Sequence, residues 1–374
     1  MKRKIRMGLV GGGPGSFIGA VHRIAARLDG QIELVCGAFT RDPVKCKAMA
    51  QELYLPEERC YASYQEMIEC ESKLPSGERM DFVSICTPNH IHAPIALYAM
   101  DHGFDVLCEK PMTLTVEEAE ALAAKVKETG LVFALMHNYT AYPMVRVARD
   151  MIANGDLGEI RRIMAEYPQG WLADVVTEDN IQGSWRTNPE TTGISCCMGD
   201  IGSHAENLSE FMTGLQISEL CSNIKNFVPG RSGLDDDGDV LLRFENGAQG
   251  VISASQVAVG EENALKIRIY GTKAAIEWRQ EDPETLIVKY NDGAARRFRR
   301  NWAGCGAKWS RLPAGHPEGF LEGMANIYTD FARAIDARLN NVPYQSEFPT
   351  VSDGVRGVKF IHAAVASKGN WVKL

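Results

Sequence analysis

Up to about residue 136, apolar residues occur in short runs separated by stretches of helical periodicity. Five such runs predict buried strands, over residues 5–10, 32–38, 82–86, 105–108 and 131–136. Amphipathic helices are predicted between them, over residues 17–28, 43–53, 91–102 and 115–129. Strands that alternate with helices predict a doubly wound parallel sheet with both faces covered. Residues 69–78 are mostly polar and are predicted to form a surface loop.

After a predicted helix over residues 142–153, strands follow one another with few helices between them. Asn246 and Gly247 separate two of these strands, which predicts a hairpin with a tight type I′ turn. The second part is therefore predicted to be an α+β domain with an open, mostly antiparallel sheet, and the domains to be residues 1–139 and 140–374. Its predicted strands cover residues 159–167, 217–225, 239–245, 248–257, 264–270, 273–278 and 285–290, and its further helices 203–213, 318–338 and 352–366.

The composition is that of a globular protein in a reducing compartment. The chain has 374 residues, enough for two or three domains, and a net charge of -8. This mild acidity argues against nucleic acid or an anionic membrane as the main partner. Ten cysteines without a C-x-x-C pair are expected to be mostly buried thiols. Because no run of 18 apolar residues and no cleavable signal is recognised, we expect a cytoplasmic protein.

A glycine-rich loop, Gly-Gly-Gly-Pro-Gly-Ser-Phe-Ile-Gly at residues 11–19, follows the first predicted strand. Glycines at such a turn let the backbone approach a pyrophosphate, and the next helix presents N–H groups and a partial positive charge. A merely tight turn is the alternative, and three residues rather than two separate Gly15 from Gly19. The residues expected to contact a dinucleotide here are Gly11, Gly13, Gly15, Ser16, Phe17 and Ile18.

The end of the second strand bears on which dinucleotide binds. An NAD site usually has a carboxylate here for the ribose 2′-hydroxyl, whereas an arginine can accept a 2′-phosphate. Thr40 and Arg41 stand where the acid is expected, and Asp42 is expected to cap the helix that begins at Pro43. Thr40 and Arg41 are therefore predicted cofactor contacts, and the residues alone leave both NAD and NADP open.

Polar residues also follow the third and fourth strands. The carboxyl ends of parallel strands line the ligand crevice, so these residues are expected to face the cofactor. Lys110 precedes Pro111 in a candidate cis peptide bond. A lone lysine is usually a solvated surface charge, and a functional role depends on its place beside the crevice. The residues concerned are Thr87, Pro88, Asn89, His92, Glu109 and Lys110.

Asp200 and His204 lie four residues apart at the start of a predicted helix, which puts both side chains on one helical face. The alternative is a helix-capping aspartate beside a half-buried histidine. Two such ligands without a third do not make a metal site, so no metal is predicted. Residues 235–239 include four aspartates, and we expect a solvated turn there rather than a calcium loop.

Four motifs in order carry a family resemblance. They are the strand with its glycine loop, Thr-Pro-Asn-x-x-His at residues 87–92, Cys-Glu-Lys-Pro at 108–111, and Trp-Arg followed by Asp-Ile-Gly-x-His within 185–204. Together they resemble the Gfo/Idh/MocA family of oxidoreductases over essentially the whole chain. The resemblance implies an N-terminal Rossmann domain, a C-terminal α/β domain with an open antiparallel sheet, and a nicotinamide cofactor between them. It implies NAD(H) or NADP(H), with NAD favoured, and a homo-oligomer (dimer, tetramer or higher).

The resemblance also implies that Lys110 and His204 are catalytic, with Asp200 binding or orienting a sugar. The loop at 11–19 and the segment at 137–142 more narrowly resemble members that oxidise sugars or glycosides, including glucoside 3-dehydrogenases. Substrate contacts are expected from polar and aromatic residues, although core packing is an equal alternative for the aromatic ones. These residues are Asn138, Tyr142, Gln169, Trp171, Trp185, Arg186, Asp200, His204 and His316.

The predicted function is transfer of hydride between a nicotinamide cofactor and a secondary hydroxyl of a sugar or glycoside, with C3 of a glucosyl unit as the specific expectation. A neutral histidine at position 204 suits the base that takes the hydroxyl proton, and Lys110 would stabilise the developing alkoxide. Two alternatives stay open. One is an NAD-dependent glycoside hydrolase or lyase that acts through transient oxidation, and the other is a non-catalytic nucleotide-sensing regulator.

Overall fold

The computed structural model describes residues 1, 3–177 and 179–374, which divide into two compact units. None of the described helices is both long and apolar enough to cross a bilayer. The strands are β1 (Ile5–Gly11), β2 (Ile32–Ala38), β3 (Phe82–Cys86), β4 (Asp105–Cys108), β5 (Phe133–Leu135), β6 (Ile160–Pro168), β7 (Ile217–Lys225), β8 (Asp237–Phe244), β9 (Gln249–Ser255), β10 (Lys266–Gly271), β11 (Ala274–Arg279), β12 (Thr285–Tyr290), β13 (Ala295–Arg299) and β14 (Val372–Lys373). The helices are α1 (Phe17–Leu28), α2 (Pro43–Leu53), α3 (Tyr64–Lys73), α4 (His92–Asp101), α5 (Val116–Thr129), α6 (Pro143–Ala153), α7 (Ile181–Arg186), α8 (Pro189–Thr192), α9 (Ser203–Thr213), α10 (Phe320–Leu339) and α11 (Val351–Ser367).

The first unit is built on a parallel sheet whose described strands lie in the order β2-β1-β3-β4-β5. Strands β1 and β3 are buried along almost their whole length, as strands covered on both faces must be. The chain passes from β1 to β2 in one direction and from β3 to β4 in the other. Right-handed crossovers therefore place α1 and α4 on opposite faces of the sheet. The predicted doubly wound sheet is confirmed.

Helix α10 belongs to the first unit, although it comes from the C-terminal part of the chain. This unit comprises residues 1–113, 117–136 and 320–355. Tyr328 and Phe331 of α10 are buried, and their rings pack against that of Phe82 on β3. The predicted domains 1–139 and 140–374 differ from the compact units over residues 114–116, 137–139 and 320–355. The last and longest of these differs because the apolar face of α10 is buried in the first unit.

The prediction of a loop over residues 69–78 is wrong for residues 69–73, which belong to α3. Ser63 caps this helix by accepting a hydrogen bond from the N–H of Glu66. On its inner face Met67 is buried, and Glu71 is buried as well because Arg59 binds its carboxylate through two hydrogen bonds. The polar composition thus conceals a helix with a buried, paired carboxylate.

The second unit, residues 114–116, 137–319 and 356–374, is built on a sheet whose described strands lie in the order β13-β12-β11-β10-β6-β9-β8-β7-β14. Neighbouring strands are antiparallel except β6 and β9, which pair in parallel. Buried and more exposed residues alternate along β8 and β9. Helices α6 and α9 pack together and against strands of the sheet. The predicted open, mostly antiparallel sheet is confirmed.

Asn246 and Gly247 connect β8 to β9, as predicted, but not in a type I′ turn. Such a turn needs positive φ at both central residues, and only Gly247 has it, with φ of +85°. The N–H of Gly247 donates to the carbonyl of Phe244, and the N–H of Phe244 to the carbonyl of Ala248. The Asn246 side chain accepts from the N–H of Ala248. The connection is therefore a longer hairpin loop that ends in a left-handed glycine.

Candidate functional site

The loops that follow β1, β3 and β4 leave the parallel sheet at one edge. Gly11 at the end of β1 pairs with Cys86 at the end of β3, and Ile85 of β3 pairs with Cys108 at the end of β4. Connections run in opposite directions on the two sides of the β1–β3 pair. Open α/β sheets bind ligands at such a topological switch point. The predicted residues that follow these strands therefore share one edge of the first unit.

The glycine loop is a surface of bare backbone packed against α1. Gly11 has φ of +86°, and a Cβ there would lie 2.7 Å from the carbonyl oxygen of Cys86. A Cβ on Gly13 would meet the carbonyl of Phe39 at 2.7 Å. A Cβ on Gly19 would lie 2.2 Å from the Cα of Gly12. The first turn of α1 thus touches the loop backbone, and no side chain fits between them.

Helix α1 begins where the loop ends. Ser16 is its N-cap, and its Oγ accepts from the N–H of Gly19 at 3.3 Å. Gly15 has φ of +79° and open space around it, Phe17 is exposed, and Ile18 packs partly against the buried cluster around Leu9. The first N–H groups of a helix lack intrahelical acceptors and carry the positive end of its dipole. This edge therefore presents an anion-binding helix terminus beside a backbone cradle.

Thr40 and Arg41 follow β2. The Thr40 hydroxyl accepts from the N–H of Asp42 at 3.3 Å, and Arg41 is exposed. Asp42 accepts from the N–H groups of Val44 and Lys45, which confirms its predicted role as the cap of α2. Because Asp42 is committed to this cap, a hydroxyl and a guanidinium occupy the predicted position of the ribose-binding acid.

Thr87 lies against the glycine loop, since a Cβ on Gly11 would come within 3.0 Å of its Cγ2. Its buried hydroxyl has no hydrogen-bond partner among the described residues. Pro88 precedes a short 3₁₀ turn that starts at the buried Asn89. This segment therefore brings an unsatisfied hydroxyl to the loop.

His92 is fully buried at the start of α4. Its Nδ1 lies 2.9 Å from the carbonyl oxygen of Pro111 and its Nε2 2.8 Å from that of Thr87. Burial lowers the pKa of His92, against the effect of these two carbonyls. Both ring nitrogens face backbone carbonyls, so His92 lies between the backbone after β3 and the backbone after β4.

Glu109 and Lys110 follow β4. One carboxylate oxygen of Glu109 lies 2.9 Å from Nε2 of His22, and the other accepts from the backbone N–H of Lys110 at 3.1 Å. Burial by itself raises the pKa of Glu109, but the hydrogen bond and charge of His22, with the charge of Lys110, bring that pKa below its ordinary value. The Lys110–Pro111 bond is cis, as predicted.

Asp200 and His204 belong to the second unit. Asp200 lies in a π-helical turn, Met198–Gly202, and His204 in the first turn of α9. The predicted helix over 203–213 is confirmed, whereas Asp200 is not its capping residue, because the π-turn runs directly into the helix. Single π-turns next to α-helices are frequent at functional sites.

The Asp200 carboxylate is held by two donors. Its Oδ2 accepts from Nε of Arg186 at 3.1 Å and from Nε2 of Gln256 at 3.0 Å. Gln256 is fully buried, and its Oε1 accepts from the thiol of Cys196 at 3.2 Å. Since the two ends of the amide have different partners, its NH₂ group is directed at Asp200.

Asp235 holds the backbone that leads into the π-turn. Its buried carboxylate accepts from the N–H groups of Cys196 at 3.0 Å and Met198 at 2.8 Å, and burial raises its pKa. Asp236 is also buried and forms an ion pair with Arg231. The prediction of a solvated turn is therefore wrong for Asp235 and Asp236, because both carboxylates are internal acceptors.

Arg186 links Asp200 to aromatic residues. Its guanidinium carbon lies 4.2 Å from the ring centre of Trp185 and 5.6 Å from that of Trp171. The Trp171 indole N–H donates to Gln169 at 2.9 Å, and its side chain is 41% exposed. Gln169, Trp171, Trp185, Arg186 and Asp200 are thus brought together, and Trp171 leaves part of its surface open to a ligand.

His204 contacts a group of buried rings. Its Nδ1 lies 3.3 Å from Nδ1 of His137, and its ring centre lies 4.7 Å from that of Tyr139 and 6.2 Å from that of Tyr167. The two tyrosine hydroxyls lie 2.7 Å apart. Burial, and then the neighbouring Tyr139, raise the pKa of Tyr167, so the Tyr167 phenol keeps its proton.

Asn263 connects the two groups of residues. Its Oδ1 accepts from the Tyr167 hydroxyl at 2.7 Å and from Nε2 of Gln169 at 2.7 Å. Its NH₂ group donates to the Tyr139 hydroxyl at 3.1 Å. The rings around His204 and the cluster around Arg186 therefore belong to one polar network.

Three other predicted substrate residues lie in different surroundings. Asn138 is buried next to His137, and its Nδ2 has no hydrogen-bond partner among the described residues. Tyr142 is 1% exposed and packs against Trp278, as the core-packing alternative predicted. His316 is exposed in the loop before α10, where its carbonyl accepts from Arg300, and no described contact joins it to His204 or Asp200.

Neither Gln256 nor Asn263 is a predicted site residue, and His137 enters the prediction only as part of the segment at 137–142. His137 comes directly after the predicted strand 131–136, and the rule that polar residues at strand ends face ligands could have found it. Gln256 follows β9, which packs against the π-turn of Asp200, and Asn263 lies just before β10, which pairs with β6. No local pattern indicates that pairing.

Two family models match the chain. The model described as an oxidoreductase family with an NAD-binding Rossmann fold matches residues 5–137, and the GFO/IDH/MocA C-terminal domain matches residues 145–277. The chain belongs to the Gfo/Idh/MocA family. The resemblance inferred from the four motifs is thereby confirmed, and the chain is an oxidoreductase of this family with an NAD-binding Rossmann domain.

Known proteins match most or all of the chain. The structure of an oxidoreductase from Sinorhizobium meliloti is 44% identical, with 99% of this chain and 100% of that chain covered and a TM-score of 0.89. An inositol dehydrogenase homolog from Azotobacter vinelandii, complexed with NADH and myo-inositol, is 33% identical, with coverages of 100% and 98% and a TM-score of 0.92. Levoglucosan dehydrogenase from Pseudarthrobacter phenanthrenivorans is 30% identical over 81% of both chains.

The first unit fits the dinucleotide that the Gfo/Idh/MocA Rossmann domain implies. A Cβ at Gly11, Gly13 or Gly19 would collide with backbone, so the loop keeps space for a close approach. The buried Thr87 hydroxyl, with no partner among the described residues, can bond to a ligand at this edge. The start of α1 offers N–H groups to a pyrophosphate.

Proposed function

We propose that this chain is a dehydrogenase that moves hydride between NAD(H) or NADP(H) and a secondary hydroxyl of a sugar or glycoside, with C3 of a glucosyl unit as the first position to test. Relatives support this substrate class: one is named levoglucosan dehydrogenase, and the Azotobacter vinelandii structure contains NADH and myo-inositol. In this proposal residues 1–139 bind the cofactor and residues 140–374 the substrate.

The pairing of His204 with His137 carries the proposal. The two Nδ1 atoms face each other at 3.3 Å in a buried site, so one must donate and the other accept. If both rings were cationic, two N–H groups would oppose each other. At least one ring of the pair therefore stays neutral, which is the state a general base needs.

In the proposed reaction His204 takes the hydroxyl proton. Since its Nδ1 faces His137, Nε2 is the atom that acts on the substrate. A bound nicotinamide supplies the hydride acceptor. The ammonium group of Lys110 stabilises the negative charge that develops on the substrate oxygen.

Asp200 binds and orients sugar hydroxyls in this proposal. Arg186 and Gln256 both donate to its Oδ2, which limits how the carboxylate can turn. A carboxylate that cannot turn holds the bound hydroxyl groups in one position. The C–H bond that gives up hydride is thereby held in place as well. The partly exposed Trp171 offers an aromatic face to a pyranose ring, and the Asn138 amide an additional donor.

The residues proposed to hold the cofactor come from the loops at one edge of the first unit. The glycine loop and the start of α1 receive the pyrophosphate, and the position after β2 receives the adenosine ribose. The slight preference for NAD over NADP stays a prediction. The residues are Gly11, Gly13, Gly15, Ser16, Phe17, Ile18, Thr40, Arg41, Thr87, Pro88, Asn89, Glu109 and Lys110, with His92 bracing the edge.

The test is a titration of NAD and NADP against a panel of free sugars, polyols and glycosides, with reduced cofactor followed by absorbance. We expect at least one substrate to reduce one cofactor. In His204→Ala, kcat/KM should fall by roughly 1,000-fold because the base is gone. Cofactor affinity, measured by fluorescence, should not change.

The matched control is His102→Ala, which removes a histidine at the C-terminal end of α4. It should keep its activity within about twofold of the wild type. The proposal fails if no sugar, polyol or glycoside reduces either cofactor, or if His204→Ala keeps most of its activity. Release of an aglycone without net reduction of the cofactor would instead support the hydrolase or lyase alternative.

We also propose that the chain forms a homo-oligomer through the open face of the second sheet. Leu241 on β8 is 48% exposed, between the buried Val240 and Leu242. An exposed leucine in the middle of a regular strand is consistent with a surface that another copy covers.

A further inference from the structure

A chain of hydrogen bonds runs through the interior of the first unit. Ser84 on β3, Tyr328 on α10 and His22 on α1 are all buried. The Ser84 and Tyr328 hydroxyls lie 2.8 Å apart, the Tyr328 hydroxyl lies 2.6 Å from Nδ1 of His22, and Nε2 of His22 lies 2.9 Å from Glu109. These are the lengths of well-formed hydrogen bonds, and they join residues far apart in the sequence.

The chemistry of the two ends decides the direction of these bonds. Glu109, with its pKa below the ordinary value, is a carboxylate and can only accept. Nε2 of His22 must therefore carry the proton that it donates to Glu109. Burial raises the pKa of Tyr328, so this phenol keeps its proton, and its hydroxyl shares a hydrogen bond with Nδ1 of His22. Ser84 then donates to the Tyr328 oxygen.

Glu109 connects this chain of hydrogen bonds to Lys110. Its other carboxylate oxygen accepts from the backbone N–H of Lys110 at 3.1 Å, and its own N–H donates to the carbonyl of Ile85 at 3.0 Å. The carboxylate is thus fixed by α1 on one side and holds the Lys110 peptide on the other. Because α1 begins at the glycine loop, this one helix positions both the loop and the Lys110 peptide.

We propose that His22 is a positioning residue for Lys110, that it acts through the Glu109 carboxylate, and that Tyr328 holds its ring in the required orientation. This inference rests on the proposed role of Lys110 in the reaction. A ring held by Tyr328 on one nitrogen keeps its other N–H aimed at Glu109. Loss of that donor frees the carboxylate, and the Lys110 peptide shifts with it.

A matched pair of substitutions separates positioning from packing. In His22→Gln, the amide nitrogen occupies the place of Nε2 and can still donate to Glu109. In His22→Asn, the shorter amide occupies the place of Nδ1 and does not reach Glu109. Both replace a buried ring by an amide, so both remove the ring's packing.

In the dehydrogenase assay we expect His22→Asn to lower kcat by about 10- to 100-fold, because small displacements of a catalytic group have effects of this size. KM for the cofactor should stay within about threefold, and His22→Gln should restore kcat to within about threefold of the wild type. Equal kcat in the two variants, whether both reduced or both unchanged, would overturn the proposal.

A second readout does not need turnover. In the nitrogen-correlated NMR spectrum of the full chain, the His22 ring should show a proton on Nε2. The backbone amide resonance of Lys110 should shift in His22→Asn and stay in place in His22→Gln. A ring without a proton on Nε2, or equal shifts in both variants, would refute the positioning role. If no sugar is oxidised, the proposed function fails, and these spectra still decide the inference about His22.

Discussion

Asp105 is a fully buried carboxyl group at the start of β4. One of its oxygens accepts from Arg338 at 2.6 Å and the other from the N–H of Val132 at 2.8 Å. Burial is the larger influence, and against the attraction of Arg338 it raises the pKa of Asp105 to about 6. The folded protein therefore binds a proton here at a pH where the unfolded chain has already released it.

This raised pKa fixes the sign of a pH effect on stability. Asp105 contributes fully to the unfolding free energy below a pH of about 4, the pKa of its carboxyl group in the unfolded chain. This contribution is lost as the pH rises through about 6, its pKa in the folded protein. Relative to Asp105→Asn, which does not titrate, the wild type should lose about 2 kcal/mol of unfolding free energy between pH 4 and pH 7. Urea unfolding of both proteins at several pH values measures this loss. If the difference between their unfolding free energies stays constant with pH, the raised pKa of Asp105 is contradicted.

Individual residues of the candidate site differ in how far a sequence can reveal them. Lys110 and His204 stand in short motifs at the end of a strand and the start of a helix, where local position predicts chemistry. Gln256 carries no such signal, because it reaches Asp200 through the packing of β9 against the π-turn. Asp235 resembled a solvated turn residue, since its backbone donors lie almost forty positions earlier in the chain. Contacts of this kind depend on tertiary structure.

Among the elements, the contact of the glycine loop with α1 gives a direct test. A methyl group at position 19 would lie 2.2 Å from the Cα of Gly12 and 2.9 Å from its carbonyl oxygen, so the loop and helix would have to separate. We expect Gly19→Ala to lower the unfolding free energy by about 1–3 kcal/mol. It should also weaken cofactor binding by about tenfold or more, because a loop shifted from the helix no longer cradles a pyrophosphate.

The matched control is Gly77→Ala, at an exposed position where an added Cβ meets nothing within 4 Å. It should keep both its stability and its cofactor affinity. Thermal unfolding and fluorescence titration of both variants give the comparison. Tight cofactor binding by Gly19→Ala would show that the loop does not need this contact.

Elements with a strong local pattern were predictable, and elements that depend on distant partners were not. The alternation of short apolar strands with helices predicted the parallel sheet because both its faces are buried. Helix α3 was partly missed, since its inner face includes Glu71, a charge that becomes compatible with burial through donors outside the helix, Arg59, Tyr61 and the N–H of Met80. The hairpin at Asn246 was predicted correctly, whereas its turn type depends on a backbone angle that a dipeptide does not determine.

At the scale of the whole molecule, the first unit is assembled from both ends of the chain. Residues 320–355 supply α10, and the carbonyl of Pro349 accepts from the N–H of Leu135 on the edge strand β5. Tyr328, Phe331 and Ile335 of α10 are almost fully buried. A local pattern could predict the apolar face of α10, but not which sheet covers that face.

This assembly predicts that residues 1–136 do not form a stable domain alone. Without α10, the surfaces that cover Tyr328, Phe331 and Ile335 are exposed, and each such side chain contributes about 1.5–3 kcal/mol on burial. Since a domain's total stability is only about 5–15 kcal/mol, the loss is decisive. The fragment should bind a hydrophobic dye and unfold without a cooperative transition.

A second fragment, with residues 320–355 joined to residue 136 by a flexible linker, should unfold cooperatively in urea and bind the cofactor. Cooperative unfolding of both fragments at the same urea concentration would show that α10 is dispensable.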